Sequence, residues 1–401
     1  MPRVGQVKAA DHERLTDRIA VGVLTSTFPP GLVDEVLHAT DRMEQRHRLL
    51  PARVVVYFVL AMCLWADQGY EDVARLLVGG LSRMARWRKS WRVPTTGALT
   101  QARARLGDGP LKVLFQRVAK PVGSPGAAGS WWRGRRLVAI DGTVFDVPDT
   151  DANAAHFGRP GSGRGQKTGA FPQARVVALA ECGTHAIIAA EIGPCTTGET
   201  TLAKKLFPCL EAGMLLLVDR GFCGYDLWAA AAAGGAQLCW RTKANAVLPV
   251  TKLLPDGSYL SYLRPPHGNP GEPAVVRVLE YTLEHPSRGK DEPPIRLITT
   301  LIDADQAPAV ELAGLYGERW EEENAFDELK THQRGAGRVL RSKSPQMVVQ
   351  EIYGHLLVYY AIRTLINGTA EPAGLDPDRL SFTRSLRVIR RQVTDQAAFS
   401  P

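Results

Sequence analysis

Two short apolar runs, each closed by an aspartate, constrain this chain more than any other feature. Leu137 to Ile140 runs into Asp141 and Gly142, and Met214 to Val218 runs into Asp219, Arg220 and Gly221. Uninterrupted runs of this length read as central strands buried on both faces. A carboxylate at the tip of such a strand is costly to bury unless it is paired or holds a cation. A strand-end turn or a helix cap would explain either aspartate alone. Two of them, followed by an acid on a helix, make a different case.

The third acid lies in Tyr316 to Lys330, YGERWEEENAFDELK, a helix-forming stretch with no proline and one glycine, Gly317. At about 100° per residue, Tyr316, Arg319, Glu323, Asp327 and Lys330 share one stripe, and Leu315, Phe326 and Leu329 form the adjoining apolar face. A solvated charged face with i,i+4 pairing would account for the stripe taken by itself. With the two strand-end aspartates, it supplies a third carboxylate, Glu323. Three carboxylates converging from two neighbouring strands and a helix would hold two Mg²⁺ or Mn²⁺ ions, because hard cations prefer oxygen ligands. Such a pair stabilises both the attacking and the leaving oxygen of an in-line phosphoryl displacement.

These residues carry a resemblance. Asp141, Asp219 and Glu323 resemble the acidic triad of DDE transposases. Tyr316, Arg319, Glu323 and Lys330 match the Tyr-x2-Arg-x3-Glu-x6-Lys signature of the insertion-sequence family four transposases at every spacing. The similarity extends over nearly the whole chain. One position departs from the pattern: the family often has an apolar residue before the glutamate, and here Glu322 stands there. Helical phase turns Glu322 toward the apolar face, which leaves Glu323 as the ligand and Glu322 as its rival.

The resemblance implies an α/β fold. A ribonuclease H-like mixed-sheet core would be interrupted by a β-rich insertion and preceded by an all-α domain that helps recognise the transposon end. It further implies a cut-and-paste transposase acting on double-stranded DNA, both terminal inverted repeats and target, as a homodimer in the synaptic complex. Cleavage would pass through a hairpin, followed by strand transfer. By their chemistry, Tyr316, Arg319 and Lys330 would hold the phosphate backbone, and Trp320 would stack on a displaced base. A metal-dependent nuclease without strand transfer and a catalytically silent DNA-binding relative remain as rival readings.

The 401 residues suffice for several domains, and 49 Lys+Arg against 41 Asp+Glu give a net charge of +8, which suits a polyanionic partner. Residues 1–125 read as helices. Between Arg83 and Arg105 basic residues (Arg83, Arg86, Arg88, Lys89, Arg92, Arg103, Arg105) interleave with Trp87 and Trp91, a pattern suited to phosphate contacts or to a solvated helix anchored by its tryptophans. A Pro/Gly/Ala/Ser linker, residues 121–130, leads to the core, expected over 131–244 and 303–365. The loop ANAAHFGRPGSGRGQKTG is not a P-loop, because Gln166 stands where that motif needs lysine. PQARVVALAECGTHAIIAAEIG predicts a hairpin turning at CGTH.

Residues 245–302, rich in turns, are the expected insertion. Arg241 and Lys243 are candidate DNA contacts, and Trp240 reads first as packing. Val348, Val349, Ile352, Leu356, Tyr359 and Tyr360 predict the apolar face of a long helix covering the core sheet, with Arg338, Arg341 and Lys343 toward a DNA channel. Residues 366–401 read as a basic tail. The six cysteines form no CxxC pair, and the nine histidines form no metal-spaced pair. The longest apolar run, Val54 to Ala66, is too short to span a bilayer. A soluble, cytoplasmic, nucleoid-associated protein without a membrane partner is the expectation.

Overall fold

The structure, a computed structural model, describes residues 22–44, 50–79, 93–161, 169–268, 271–282 and 294–392. The chain divides into two compact units. A sheet unit comprises residues 120–327 and 367–380, and a helical unit comprises residues 1–119, 328–366 and 381–401.

Among the described residues of the sheet unit, ten strands form one sheet: β1 (Trp131–Trp132), β2 (Arg135–Asp146), β3 (Gln173–Glu181), β4 (Ile187–Pro194), β5 (Met214–Val218), β6 (Gln237–Arg241), β7 (Lys252–Leu253), β8 (Tyr259–Leu263), β9 (Ala274–Tyr281) and β10 (Ile295–Thr299). Their order is β4-β3-β2-β5-β6-β10-β9-β8-β7, with β1 paired to β2 off this path. β2, β5 and β6 run parallel, whereas β3 and β4 are antiparallel to their neighbours. That half is ribonuclease H-like, as the sequence led one to expect. Leu137, Ala139, Leu215 and Leu217 belong to an apolar cluster with Leu312 and Tyr316, and the alternate residues Val138, Ile140, Leu216 and Val218 are buried as well. Burial on both faces is why these strands are written as unbroken apolar runs.

The expected insertion is β-rich, but it is not a separate sheet. β10 pairs with the core strand β6, Ile298 opposite Trp240, and β9, β8 and β7 continue outward from it. The buried Arg277 secures this extension, donating to Ser258 Oγ at 2.7 Å and to the Ala307 carbonyl at 2.6 Å, and pairing with Asp256.

In the helical unit the run from Val54 forms the helix Ala52–Leu64, whose flanks are buried all round. A helix with no polar face offers no solvent to its terminal carbonyls, so side chains must satisfy them. Arg341 donates to the carbonyls of Met62, Trp65, Ala66 and Gln68, Arg338 to that of Ala66, and Arg390 to that of Leu64. This corrects the placing of Arg338 and Arg341 in a DNA channel: in this structure they cap a helix end.

The long helix Pro345–Ala370 is present, but residues 345–366 group with the amino-terminal helices rather than with the sheet. Its Gly354 lies against the helix Ala52–Leu64, where an added Cβ would come 2.8 Å from Cys63 Sγ. Phe115 packs on Tyr353 at 5.8 Å between ring centres. The sheet unit's second stretch thus ends at residue 327, and residues 367–380 return to it. The basic tail contains an amphipathic helix, Phe382–Gln392, that buries Phe382, Leu386 and Ile389 and leaves Arg384, Arg387 and Arg391 exposed. Among the described residues no helix is long and apolar enough to cross a membrane.

Candidate active site

Strand register brings the two aspartates together. Ile140 of β2 pairs with Val218 of β5 in parallel, so the next residues, Asp141 and Asp219, stand side by side where β5 ends. Asp219 leads into the 3-10 turn Arg220–Phe222. Asp141, however, is not at a strand tip. β2 continues to Asp146, still paired with β3, because the neighbour that stops is β5 and not β3.

The segment from Tyr316 is not one helix. Tyr316–Arg319 is 3-10, Trp320–Asp327 is α, and Glu328–Gln333 is π-helical. The single stripe computed at one pitch therefore breaks at both ends. The 3-10 turn packs against β5, and the helix Trp320–Asp327 packs against β2 and β3. Glu323 and Arg319 are thereby brought close enough to act on Asp141, and Arg319 to feel Asp219.

Arg319 is the organiser. It is buried, and its Nη1 lies 3.1 Å from Glu323 Oε1. Burial opposes its charge, but Tyr316, Asp219 and Glu323 outweigh that effect and hold it protonated. Tyr316 is buried too, and its hydroxyl donates to the Val218 carbonyl at 3.1 Å. The phenol therefore anchors the 3-10 turn to β5, and the expectation that it grips a phosphate is not met by this geometry. Burial drives its pKa upward.

Asp141 carries the electrostatic signature of the site. Burial pushes its carboxyl up to about 6, against the opposing effects of the Gly142 amide at 2.7 Å and of Arg319; Glu323 and Glu199 push it further up. Glu199 was not anticipated from the sequence. It sits in the first turn of the helix Glu199–Lys204, which reads as ordinary helix chemistry, yet a Cβ on Gly142 would meet its carboxyl carbon at 2.8 Å. A side chain at position 142 would have to push the Glu199 side chain aside.

A half-buried carboxylate with two further carboxylates acting on it, and only oxygen donors, fits a hard divalent cation. The spacing is wider than a one-ion cage. Among the described residues, the set of His, Cys, Asp and Glu whose ligand atoms all lie within 4.8 Å of one another is a different one, His185, Glu321 and Asp378.

The remaining candidates divide. Lys330 lies half-buried in the π-helical turn. Arg241 is half-buried at the end of β6 and Lys243 is exposed just beyond it. Trp240 is buried edge-on against Trp228 at 5.4 Å, a packing role. Arg103 is buried and bonded within the helical unit, so it is not a phosphate contact, whereas Arg105 is exposed. The side chains of Trp320 and Glu322, together with Arg83 to Arg92, Trp87, Trp91 and Gln166, lie outside the described residues.

Residues 132–361 match the sequence family described as Transposase DDE domain, more than half of the chain, and residues 18–116 match Insertion element 4 transposase N-terminal. The chain belongs to the IS4 family of DDE transposases. It is 28% identical over 381 residues to the transposase InsG for insertion sequence element IS4 of Escherichia coli (strain K12), covering 93% of this chain and 83% of that protein. InsZ of the same strain is 28% identical over 206 residues, 50% of this chain and 64% of the relative. A cryo-EM structure of the piggyBac transposase synaptic complex with hairpin DNA aligns at a TM-score of 0.49 and 11% identity, over 94% of this chain and 80% of that one. As a DDE transposase the chain is an enzyme of DNA transposition that uses divalent metal.

Proposed function

We propose that this chain is a cut-and-paste transposase that binds the inverted repeats of its element as a dimer at the nucleoid. It cleaves the ends, through a hairpin, and joins them to target DNA. The observation that carries the reading is the parallel register of Ile140 with Val218, which sets Asp141 beside Asp219, under the turn and helix that bear Arg319 and Glu323. Asp141, Asp219 and Glu323 would hold two Mg²⁺ or Mn²⁺ ions, which when bound activate the attacking oxygen and stabilise the leaving one. Arg319 keeps the Glu323 carboxylate oriented and balances the acidic cluster. Lys330, Lys243 and Arg241 supply positive charge for the phosphate backbone, and Trp320 is the candidate for stacking on a displaced base.

A strand-transfer assay tests this. Oligonucleotides carrying the terminal repeat, incubated with the protein, Mg²⁺ and a supercoiled target, are expected to give hairpin-ended intermediates and joined products. Cleavage without joining would favour the nuclease reading, and binding without cleavage the silent relative. Glu323→Gln should end cleavage and Glu322→Gln should leave it nearly unchanged; the reverse result would move the ligand to Glu322. Arg319→Ala and Lys330→Ala should weaken end processing more than non-specific DNA binding, and equal losses would reduce both to general charge.

A further inference from the structure

A second group of ligand-type side chains lies in the sheet unit, outside the carboxylates of the active site. His185 comes from the turn between β3 and β4, Glu321 from the helix Trp320–Asp327, and Asp378 from the 3-10 turn Pro377–Arg379. His185 Nε2 lies 2.5 Å from Glu321 Oε2 and 3.1 Å from Asp378 Oδ1. One ring nitrogen thus faces two carboxylate oxygens, and the three ligand atoms all fall within 4.8 Å of one another. A divalent ion held by all three would part the Nε2–Oε2 pair, since tetrahedral ligands at about 2.0–2.1 Å stand roughly 3.3 Å apart; two carboxylates and a neutral imidazole would balance its charge and leave a fourth position for water.

The surroundings fit a loaded site. The imidazole is 4% exposed, while the side chains of Glu321 and Asp378 are 23% and 35% exposed, giving a buried ligand with a path from solvent. Asn324 Nδ2 donates to Glu321 Oε2 at 3.0 Å, the kind of support that fixes a ligating carboxylate. Acid is in surplus nearby. The Glu318 carboxyl is pushed up by burial and then by Glu321, Asp378 and Asp376, with His185 acting in the opposite sense. Nitrogen among the donors favours a borderline ion such as Zn²⁺, in contrast to the all-oxygen set at Asp141, Asp219 and Glu323. Glu321 is two residues from Glu323 on the same helix.

We propose that His185, Glu321 and Asp378 form a structural zinc-class site, separate from the catalytic carboxylates, that ties the hairpin turn and the returning segment 367–380 to the helix bearing Glu323. The site does not depend on the assignment of the active-site carboxylates, and its test removes them. Protein carrying Asp141→Asn, Asp219→Asn and Glu323→Gln is titrated with Zn²⁺ by calorimetry and with Co²⁺ by visible absorption. Saturable Zn²⁺ binding is expected, with the Co²⁺ band of a nitrogen- and oxygen-ligated tetrahedral site. Adding His185→Gln should weaken Zn²⁺ binding on the order of 100-fold. Should that variant fail to fold, Asp378→Asn, at a partly exposed position, should give a comparable loss with circular dichroism unchanged, and should abolish the rise in thermal midpoint that Zn²⁺ gives the parent. Absence of Zn²⁺ and Co²⁺ binding, or binding untouched by these substitutions, overturns the proposal and leaves the cluster as a histidine hydrogen-bonded between two carboxylates.

Discussion

Asp141→Asn will stop DNA cleavage and at the same time stabilise the metal-free protein at alkaline pH. Both effects come from one side chain. Its carboxyl is pushed from an ordinary 3.8 up to about 6, first by burial and then by Glu323 and Glu199. A folded-state pKa above the unfolded value means that the fold prefers the protonated form. The stability this group contributes is complete below the unfolded value and is lost as pH rises through about 6. At pH 8 the neutral asparagine should therefore be the more stable by roughly 1 to 3 kcal/mol, allowing for residual solvent access, and at pH 5 that advantage should fall to about half. Urea unfolding in the presence of a chelator at both pH values measures this. Mg²⁺-dependent end cleavage should fall on the order of 1,000-fold or more, the loss expected when several kcal/mol of transition-state stabilisation go. An asparagine variant less stable than the parent at pH 8 would mean that the carboxylate is held by partners in the fold instead of waiting for a cation.

That strain at Asp141 explains why this part of the chain was legible from sequence. Strands buried on both faces leave unbroken apolar runs, and a charged residue ending such a run conflicts with its setting in a way that needs a function. The signature at Tyr316, Arg319, Glu323 and Lys330 was legible as spacing, yet its geometry was not. Helical pitch changes twice between Tyr316 and Gln333, and what sets the first turn is a hydrogen bond from Tyr316 to the end of β5, nearly a hundred positions away in the chain. The partner of the long helix was hidden for a similar reason. Apolar residues surround Pro345–Ala370 on most sides, so periodicity names no single face to bury. His185 escaped because its neighbours Glu321 and Asp378 arrive from distant segments, so no spacing along the chain marks it. The addition of β10 to β6 was likewise beyond a reading of local turn chemistry, since an edge strand is paired by whatever the tertiary fold brings to it.

Arg103 and Arg105 illustrate how two basic positions two residues apart separate once burial is known, and they yield the largest expected effect on stability. Arg103 is 1% exposed. Its Nε donates to Gln350 Oε1 at 2.9 Å, its Nη2 to Ser342 Oγ at 2.8 Å, and its Nη1 to the Tyr70 hydroxyl. Gln350 in turn donates to the carbonyls of Arg103 and Gly107 at 3.0 and 2.6 Å, tying the helix Thr96–Leu106 to Pro345–Ala370. Removing one partner from a buried charged network leaves several polar groups without compensation, so Arg103→Ala should cost about 3 to 5 kcal/mol. Arg103→Lys should recover little of this, because one ammonium cannot reproduce the fork that reaches three side chains. Arg105 is exposed on the same helix and should behave in the opposite way. Arg105→Ala should leave the urea midpoint within the range of an ordinary surface change while weakening binding to terminal-repeat DNA and lowering its salt slope by about one. Fluorescence anisotropy across a salt series, alongside unfolding of the same proteins, separates the two roles. If Arg103→Ala kept its stability and lost DNA affinity, the buried network would have been misjudged and both arginines would face the phosphates.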